Sequence, residues 1–562
     1  MLSNLSNQLG TSALKRQLFF IAATLSTLLL VGYNFGTFDE AMHVPFLKSM
    51  TYPSMYAGDS MLSLQKVYYS YFWHAFVPFL KLGWLEPALF IVHVASIYLS
   101  FWAIWELSET LFHDHLASLI AVLGFIIPHL SFVGFPIFEF APLSRTFVLP
   151  FLLIALNQFF KDRIPLAFLI TGAMYNVHVV SVNFVLAMFG LACLLEFRRI
   201  GIRRILFSGG LFLLAALPVL LWKAGSDPID FTLRPEWVAF LNKTLFFHIF
   251  AMIRFSYPGT WVVTLGGISA LVLFFVIFPK TEVPQTASTA RNFIYAGIIV
   301  VLVNVIAVYV LPVTILIQSQ VARIGLWILI IAYLYFAGYL ARLYRAKSLS
   351  PAGFLVLLIA FIFSPTPILV LFMWWLIQRL KKERVLKVIA AVTGLALLGS
   401  YLIVWLIGFW TPGIYIYGHY TPWVDVQRWA RENTDKDARF ITPPEKWGVQ
   451  ESDWRVHSER ASAVTLSELL VAAFEPGYEV EWMPRFELLA PGALARFNGD
   501  YFWNVTVTRQ AYQALSTEQL VNAACRFNAQ YIVSEKPYLH PFPLVYENSE
   551  FAVYDLGKTA CP

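Results

Sequence analysis

LFFIAATLSTLLLVGYNFG, residues Leu18–Gly36, follows the basic pair Lys15-Arg16 and runs into the acidic pair Asp39-Glu40. An uncharged run of this length crosses a bilayer as a helix, for which about 20 residues suffice. No small-residue cleavage site follows, so the run reads as a retained span and not as a removable leader. The same pattern recurs outward along the chain: Leu85–Leu107, Leu116–Phe132, Thr146–Phe160, Ile164–Asn176, Val182–Glu196, Ile205–Trp222, Trp261–Phe278, Phe293–Leu316, Ile324–Leu340, Phe354–Phe363, Ile368–Leu380 and Val385–Phe409. Several are too short for a straight crossing and read as tilted or broken spans.

Composition agrees. Of 562 residues 58% are hydrophobic and only 13% charged, where a soluble domain has about 25% charged. The net charge of +6 sits in short clusters between apolar runs, which excludes nucleic acid as the expected partner. The clusters are Lys15/Arg16, Lys161/Arg163, Arg198/Arg199/Arg203/Arg204, Arg342/Arg345/Lys347 and Arg379/Lys381/Lys382/Arg384/Lys387, and the positive-inside rule places all of them in the cytoplasm. Two clusters bracket Pro351–Leu380, whose middle, Ser364-Pro365-Thr366-Pro367, breaks a helix. That segment must therefore enter and return as a hairpin.

The expected fold is a polytopic α-helical membrane protein of about 13 spans with a C-terminal α/β domain outside the cytoplasm. Residues 1–410 form the transmembrane domain, with a long first outer loop at 37–84 and a second at 223–260; residues 411–562 form the extracytoplasmic domain. Both loops carry charges among aromatic residues and read as amphipathic helices lying at the interface. In the tail, Thr421–Asn433 and Ser516–Asn528 read as helices, the latter opened by the capping pattern Ser516-x-x-Gln519. Arg439–Thr442, Gln530–Ser534, Leu544–Glu547 and Phe551–Asp555 read as strands. Of the three cysteines, Cys193 reads as a buried apolar residue. Cys525 and Cys561 are either bonded to each other or two thiols. No internal repeat is evident, which argues mildly against a transporter.

The run Gly32-Tyr-Asn-Phe-Gly-Thr-Phe-Asp39-Glu40-Ala-Met-His43-Val-Pro45, followed by Tyr52-Pro53…Gly58-Asp59, delivers adjacent carboxylates at the outer end of an apolar helix. A carboxylate partly desolvated there can act as a base or bind a metal; the alternative is a solvated helix-end acid. Glu139 and Arg145 lie six apart in the next outer loop, placed either to fold over one ligand or to pair with each other. His178 ends the fifth run, poised for a sugar or phosphate oxygen or for a structural hydrogen bond. Arg323 opens the tenth run as a lipid-phosphate clamp or as a cation reaching for headgroups. Arg254 and Lys243, in the second outer loop, are candidates of the same kind. Phosphate-cradling Gly-rich loops, Gly-x-Ser-x-Gly elbows and His-Glu-x-x-His zinc helices are missing.

The arrangement resembles the glycosyltransferase C superfamily, which includes oligosaccharyltransferase catalytic subunits, protein O-mannosyltransferases and bacterial lipid-A aminoarabinose transferases. In those families an Asp, often in an acidic pair, follows the first helix in the first outer loop, and Asp39-Glu40 occupies that place. The run from Asp39 to Asp59 looks closest to that of uncharacterised bacterial members. The resemblance implies transfer of a sugar from a polyprenyl-phosphate-linked donor to a glycan, lipid or protein acceptor at the outer face, with inversion. Asp39 or Glu40 would be the catalytic base. His43, Asp59, Glu139, Arg145, His178, Arg254 and Arg323 would bind substrate, with a basic residue near Arg323 holding the carrier phosphate. If a divalent metal takes part, Asp39 and Glu139 are its expected ligands. The setting implied is the bacterial inner membrane, with the N-terminus cytoplasmic. The rival readings are a transporter or flippase of a lipid-linked glycan, with essential charges at the bilayer midplane, and a non-catalytic partner in envelope polysaccharide assembly.

Overall fold

The computed structural model describes residues 2–557 apart from 133–135, 227–229, 246–258, 282–283, 381, 409, 411 and 449–450. Among them, seven helices are long and apolar enough to cross a membrane: Ala13–Val31, Leu85–Phe112, Ile202–Ser226, Thr260–Thr281, Thr286–Tyr309, Val321–Arg345 and Glu383–Leu406. Shorter apolar helices fill the remaining runs: His115–Gly124, Ser144–Phe160, Ile164–Tyr175, Val179–Leu195, Pro351–Phe363 and Pro367–Arg379. The chain is thus a mainly helical integral membrane protein.

Gly325–Arg345 forms the centre of the bundle, with every residue from Trp327 to Ala341 buried. Glu383–Leu406 and Ile202–Ser226 keep long rows of exposed leucines, including Leu395, Leu398, Leu213 and Leu214. Exposed apolar rows on helices long enough to cross a bilayer suit contact with lipid. Pro351–Phe363 and Pro367–Arg379 form the hairpin that the charge clusters required. Its tip is held by Leu130, whose N–H donates to the Pro365 carbonyl at 2.7 Å, and by the His129 ring against the Ser364 carbonyl, also 2.7 Å.

The first span ends sooner than its apolar run. Gly32 stops the helix at φ +87°, a conformation that costs glycine little. Tyr33–Asn34 then pairs in parallel with Ile414–Tyr415. The first outer loop is therefore tied to the tail from its beginning.

The C-terminal region carries a five-stranded sheet in the order Ala461–Ser462, Arg439–Ile441, Tyr531–Glu535, Phe551–Asp555, Leu544–Glu547. The first two pairings are parallel and the last two antiparallel. Helix Pro422–Asn433 is capped by Thr421, and Thr517–Phe527 by the Ser516/Gln519 box. Cys525 is disulfide-bonded, Cys193 is free and buried, and Cys561 lies outside the described residues.

The first loop differs from the interfacial helix read in its sequence. Glu40–Thr51 buries Ala41, Met42, Val44, Phe46, Leu47 and even Lys48, so apolar residues are covered on more than one face and a one-sided seat on lipid headgroups does not suit it. Lys48 pairs with Glu459 at 2.7 Å, and the Arg439 Nε–H donates to the Ala57 carbonyl at 3.0 Å. The second loop is covered likewise: Trp237, in helix Pro235–Thr244, donates its indole N–H to the Ala472 carbonyl at 2.9 Å. The described parts of both loops thus pack against the tail.

Candidate functional site

Asp39 is fixed by backbone. Phe38 sits in the left-handed region at φ +49°, and the tail clasps it from both sides. The Phe38 N–H donates to the Gly448 carbonyl at 3.2 Å, and the Trp447 indole N–H donates to the Phe38 carbonyl at 2.9 Å. Asp39 follows at the head of helix Glu40–Thr51 and lines a cavity of about 370 Å³. One turn on, His43 lines the same cavity, its ring stacked on Trp73 with centroids 4.8 Å apart. Burial lowers the His43 imidazole to about 4, so it is neutral near pH 7.

Arg145 enters from the first turn of helix Ser144–Phe160. Its Nε–H donates to Glu139 Oε1 at 2.6 Å, Nη2 reaches the other oxygen of that carboxylate, and Nη1 reaches Asp39. A guanidinium fork binds a carboxylate in this bidentate way. The Glu139–Arg145 ion pair is thus formed, and it extends to Asp39.

His178 caps helix Val179–Leu195, its Nδ1 accepting the Ser181 N–H at 3.1 Å. With Nδ1 accepting, the neutral ring carries its proton on Nε2. Arg323 and Gln320 come from the turn that opens the central helix, and all three residues line the cavity. The far side holds Lys223, whose ammonium lies 5.7 Å from the Tyr69 ring centroid, and Arg234, paired with Asp230 at 3.2 Å. Residues 473–476 of the tail close it, with Gln318 donating to the Phe474 carbonyl at 2.7 Å. A smaller cavity of about 50 Å³, lined largely by Phe132, Leu149, Leu152, Phe184, Leu326 and Trp327, shares Arg145 and Arg323 with the first. Two cations therefore stand where a chamber lined by several charged side chains meets an apolar slot between helices.

Asp39, His43, Arg145, His178 and Arg323 meet around one cavity, and Glu139 joins them through Arg145 and the smaller slot. Glu40 does not line it. Its side chain is fully buried, with Oε2 accepting the Gly36 N–H at 2.6 Å, and burial pushes its carboxyl well above the ordinary range. Asp59 also lies elsewhere, bound to Arg455 of the tail in a solvent-free network. Arg254 falls outside the described residues. Among the described residues no three His, Cys, Asp or Glu side chains gather as a metal set; Asp39 and Glu139 share Arg145 instead.

Residues 421–489 match a family described as a domain of unknown function, DUF6798. No curated protein matches the chain. Among solved structures the chain is similar to ArnT from Cupriavidus metallidurans, crystallised bound to undecaprenyl phosphate. That likeness covers 98% of this chain and 100% of that one, at 11% identity and a TM-score of 0.45.

Lys223, Gln320, Tyr68, Tyr69 and Glu475 also line the cavity, and sequence reasoning gave them no role there. Lys223 was readable as a cation at the end of a span. Glu475, in a tail loop more than 400 positions from Asp39, carries no local signal.

Proposed function

We propose that this protein is a membrane glycosyltransferase that moves a sugar from a polyprenyl-phosphate-linked donor to a glycan, lipid or protein acceptor at the outer face. One observation carries the reading. A single cavity sets the Asp39 carboxylate among Arg145, His178 and Arg323, and it adjoins an apolar slot between helices. The superfamily resemblance of the Asp39-Glu40 run supports the same reading.

In this reading the carrier tail enters between helices, and Arg323 holds its phosphate through charge-assisted hydrogen bonds. Arg145 is engaged by Asp39 and Glu139, which suits it to orienting the base rather than clamping phosphate. Asp39 accepts the proton of the acceptor hydroxyl as that oxygen attacks the anomeric carbon. The bond from that carbon to the phosphate oxygen breaks, the electron pair leaves with the phosphate, and Arg323 stabilises the charge. One displacement inverts the anomeric centre. The tail, closing the cavity through residues 473–476, governs acceptor entry.

The test is Asp39→Asn expressed in the source cell, with surface glycans and lipid-linked sugars profiled by mass spectrometry. Loss of one glycan with accumulation of its lipid-linked donor, at normal protein level, is the expected result. Unchanged glycans would overturn the assignment and favour a transport or assembly role.

A further inference from the structure

Gln320 is the residue in the cavity that the transfer step leaves unexplained. It is 1% exposed, and its Oε1 is buried with no hydrogen-bond partner among the described residues. Its backbone lies in the left-handed region at φ +47°, which residues other than glycine seldom occupy. Its carbonyl accepts the Arg323 N–H at 3.0 Å, so the side chain is mounted rigidly one turn before the residue assigned to the phosphate. A methionine or leucine would fill the same space without an unsatisfied acceptor, and a buried amide left unmet costs stability. His178 supplies the complementary group, since its Nδ1 is taken by the Ser181 N–H and Nε2–H remains to donate.

We infer that Gln320 and His178 form the subsite that reads the sugar, Gln320 accepting from one of its hydroxyls and His178 donating to an oxygen. A hydroxyl is both donor and acceptor, so a polyhydroxylated ring on the carrier phosphate satisfies both groups at once, whereas the oxygens of an ionised bare phosphate can accept from His178 but offer the Gln320 oxygen no donor. This inference rests on the transferase reading and adds which side chains select the donor.

The experiment uses the purified full-length protein in detergent and compares decaprenyl phosphate with decaprenyl-phosphoryl glucose, mannose and galactose by native mass spectrometry titration. Wild type is expected to bind one or more sugar-bearing carriers about threefold to tenfold tighter than the bare carrier, the range of one neutral hydrogen bond. Gln320→Met is expected to abolish that preference and leave affinity for the bare carrier within about twofold, with an unliganded thermal midpoint no lower than wild type. A variant that weakens both carriers alike, keeps the preference, or lowers the midpoint would overturn the inference and leave the transferase reading standing. So would a wild type that binds the bare carrier and every hexose carrier equally. Independently of any variant's folding, removing single hydroxyls from the preferred hexose must abolish the preference at one position; indifference at all positions overturns it. A wild type that binds no carrier at all overturns the transferase reading itself.

Discussion

Arg455 donates its Nε–H to Asp59 at 2.5 Å where neither side chain is reached by solvent, although 396 positions separate them. The same guanidinium donates to Thr465 Oγ1 and Glu468 Oε1, each at 2.8 Å. The Tyr56 hydroxyl donates to the Arg455 carbonyl at 2.9 Å. One arginine thus joins the loop that carries Asp39 to the tail that closes the cavity.

Arg455→Ala leaves Asp59, Asp453 and Glu468 in a dry interior with their shared cation gone. Removing one partner of a buried charge network costs about 3–5 kcal/mol, a large fraction of a typical native stability, so the variant is expected to unfold at a markedly lower temperature. Thermal unfolding of the detergent-purified protein measures this. A midpoint within a degree of wild type would mean that the network carries little of the junction's stability.

Asp39 and Glu40 are adjacent in sequence and opposite in circumstance. Asp39 faces the cavity, while Glu40 is buried beside the Gly36 amide and pushed up well above the carboxylate range, chiefly by burial. A glutamine copies the neutral form of that acid and can accept the same N–H. Glu40→Gln is therefore expected to keep transfer within about threefold of wild type, whereas Asp39→Asn is expected to lower it by at least about 100-fold, the usual contribution of a positioned base. Turnover of lipid-linked sugar in membranes separates the two. Equal loss in both variants would contradict the division of roles.

The helices were legible because lipid demands long uncharged runs, and the Pro351–Leu380 hairpin because two basic clusters bracket a Ser-Pro-Thr-Pro turn. Strand Tyr531–Glu535 and the capped helix Thr517–Phe527 were legible from local pattern alone. Of the candidate site, the residues that line the cavity were legible only where charged or polar groups sit at helix ends, as at Asp39, Arg145, His178 and Arg323. What escaped was tertiary. Nothing near Asp59 announces that its partner is Arg455, and nothing near Phe38 announces that Trp447 will clasp it. Helix Glu40–Thr51 read as interfacial because sequence shows that apolar residues need cover and does not show what covers them.

Arg323 is expected to show the difference between a charge and a fork. Lysine keeps the charge and loses the paired, planar N–H donors that match a phosphate. Arg323→Lys is expected to weaken binding of decaprenyl phosphate about tenfold, and Arg323→Gln more than that, both read by native mass spectrometry titration. Full affinity in Arg323→Gln would move the phosphate to another cation of the cavity.

Glu445 gives a pH test outside the membrane. It lies two residues before Trp447, is 3% exposed, and among the described residues its carboxylate meets no hydrogen-bond partner beyond its own backbone amide. Burial is the main cause that pushes it up to about 7, from an ordinary 4.5. Lys446 opposes the shift, and the Glu535 and Glu451 carboxylates add to it. A folded-state value above the unfolded one means that the native protein holds the extra proton between the two. Stability on this account falls as pH rises from about 4.5 to about 7 and is level above that. Glu445→Gln removes the dependence, because glutamine does not titrate. The variant is expected to differ little from wild type at pH 4 and to be more stable at pH 8, by up to about 3 kcal/mol for a shift of this size. Thermal midpoints of both proteins across that range decide it. An offset between them that is the same at both ends would mean that Glu445 does not change its charge on folding, and that the loop clasping Phe38 is held without regard to pH.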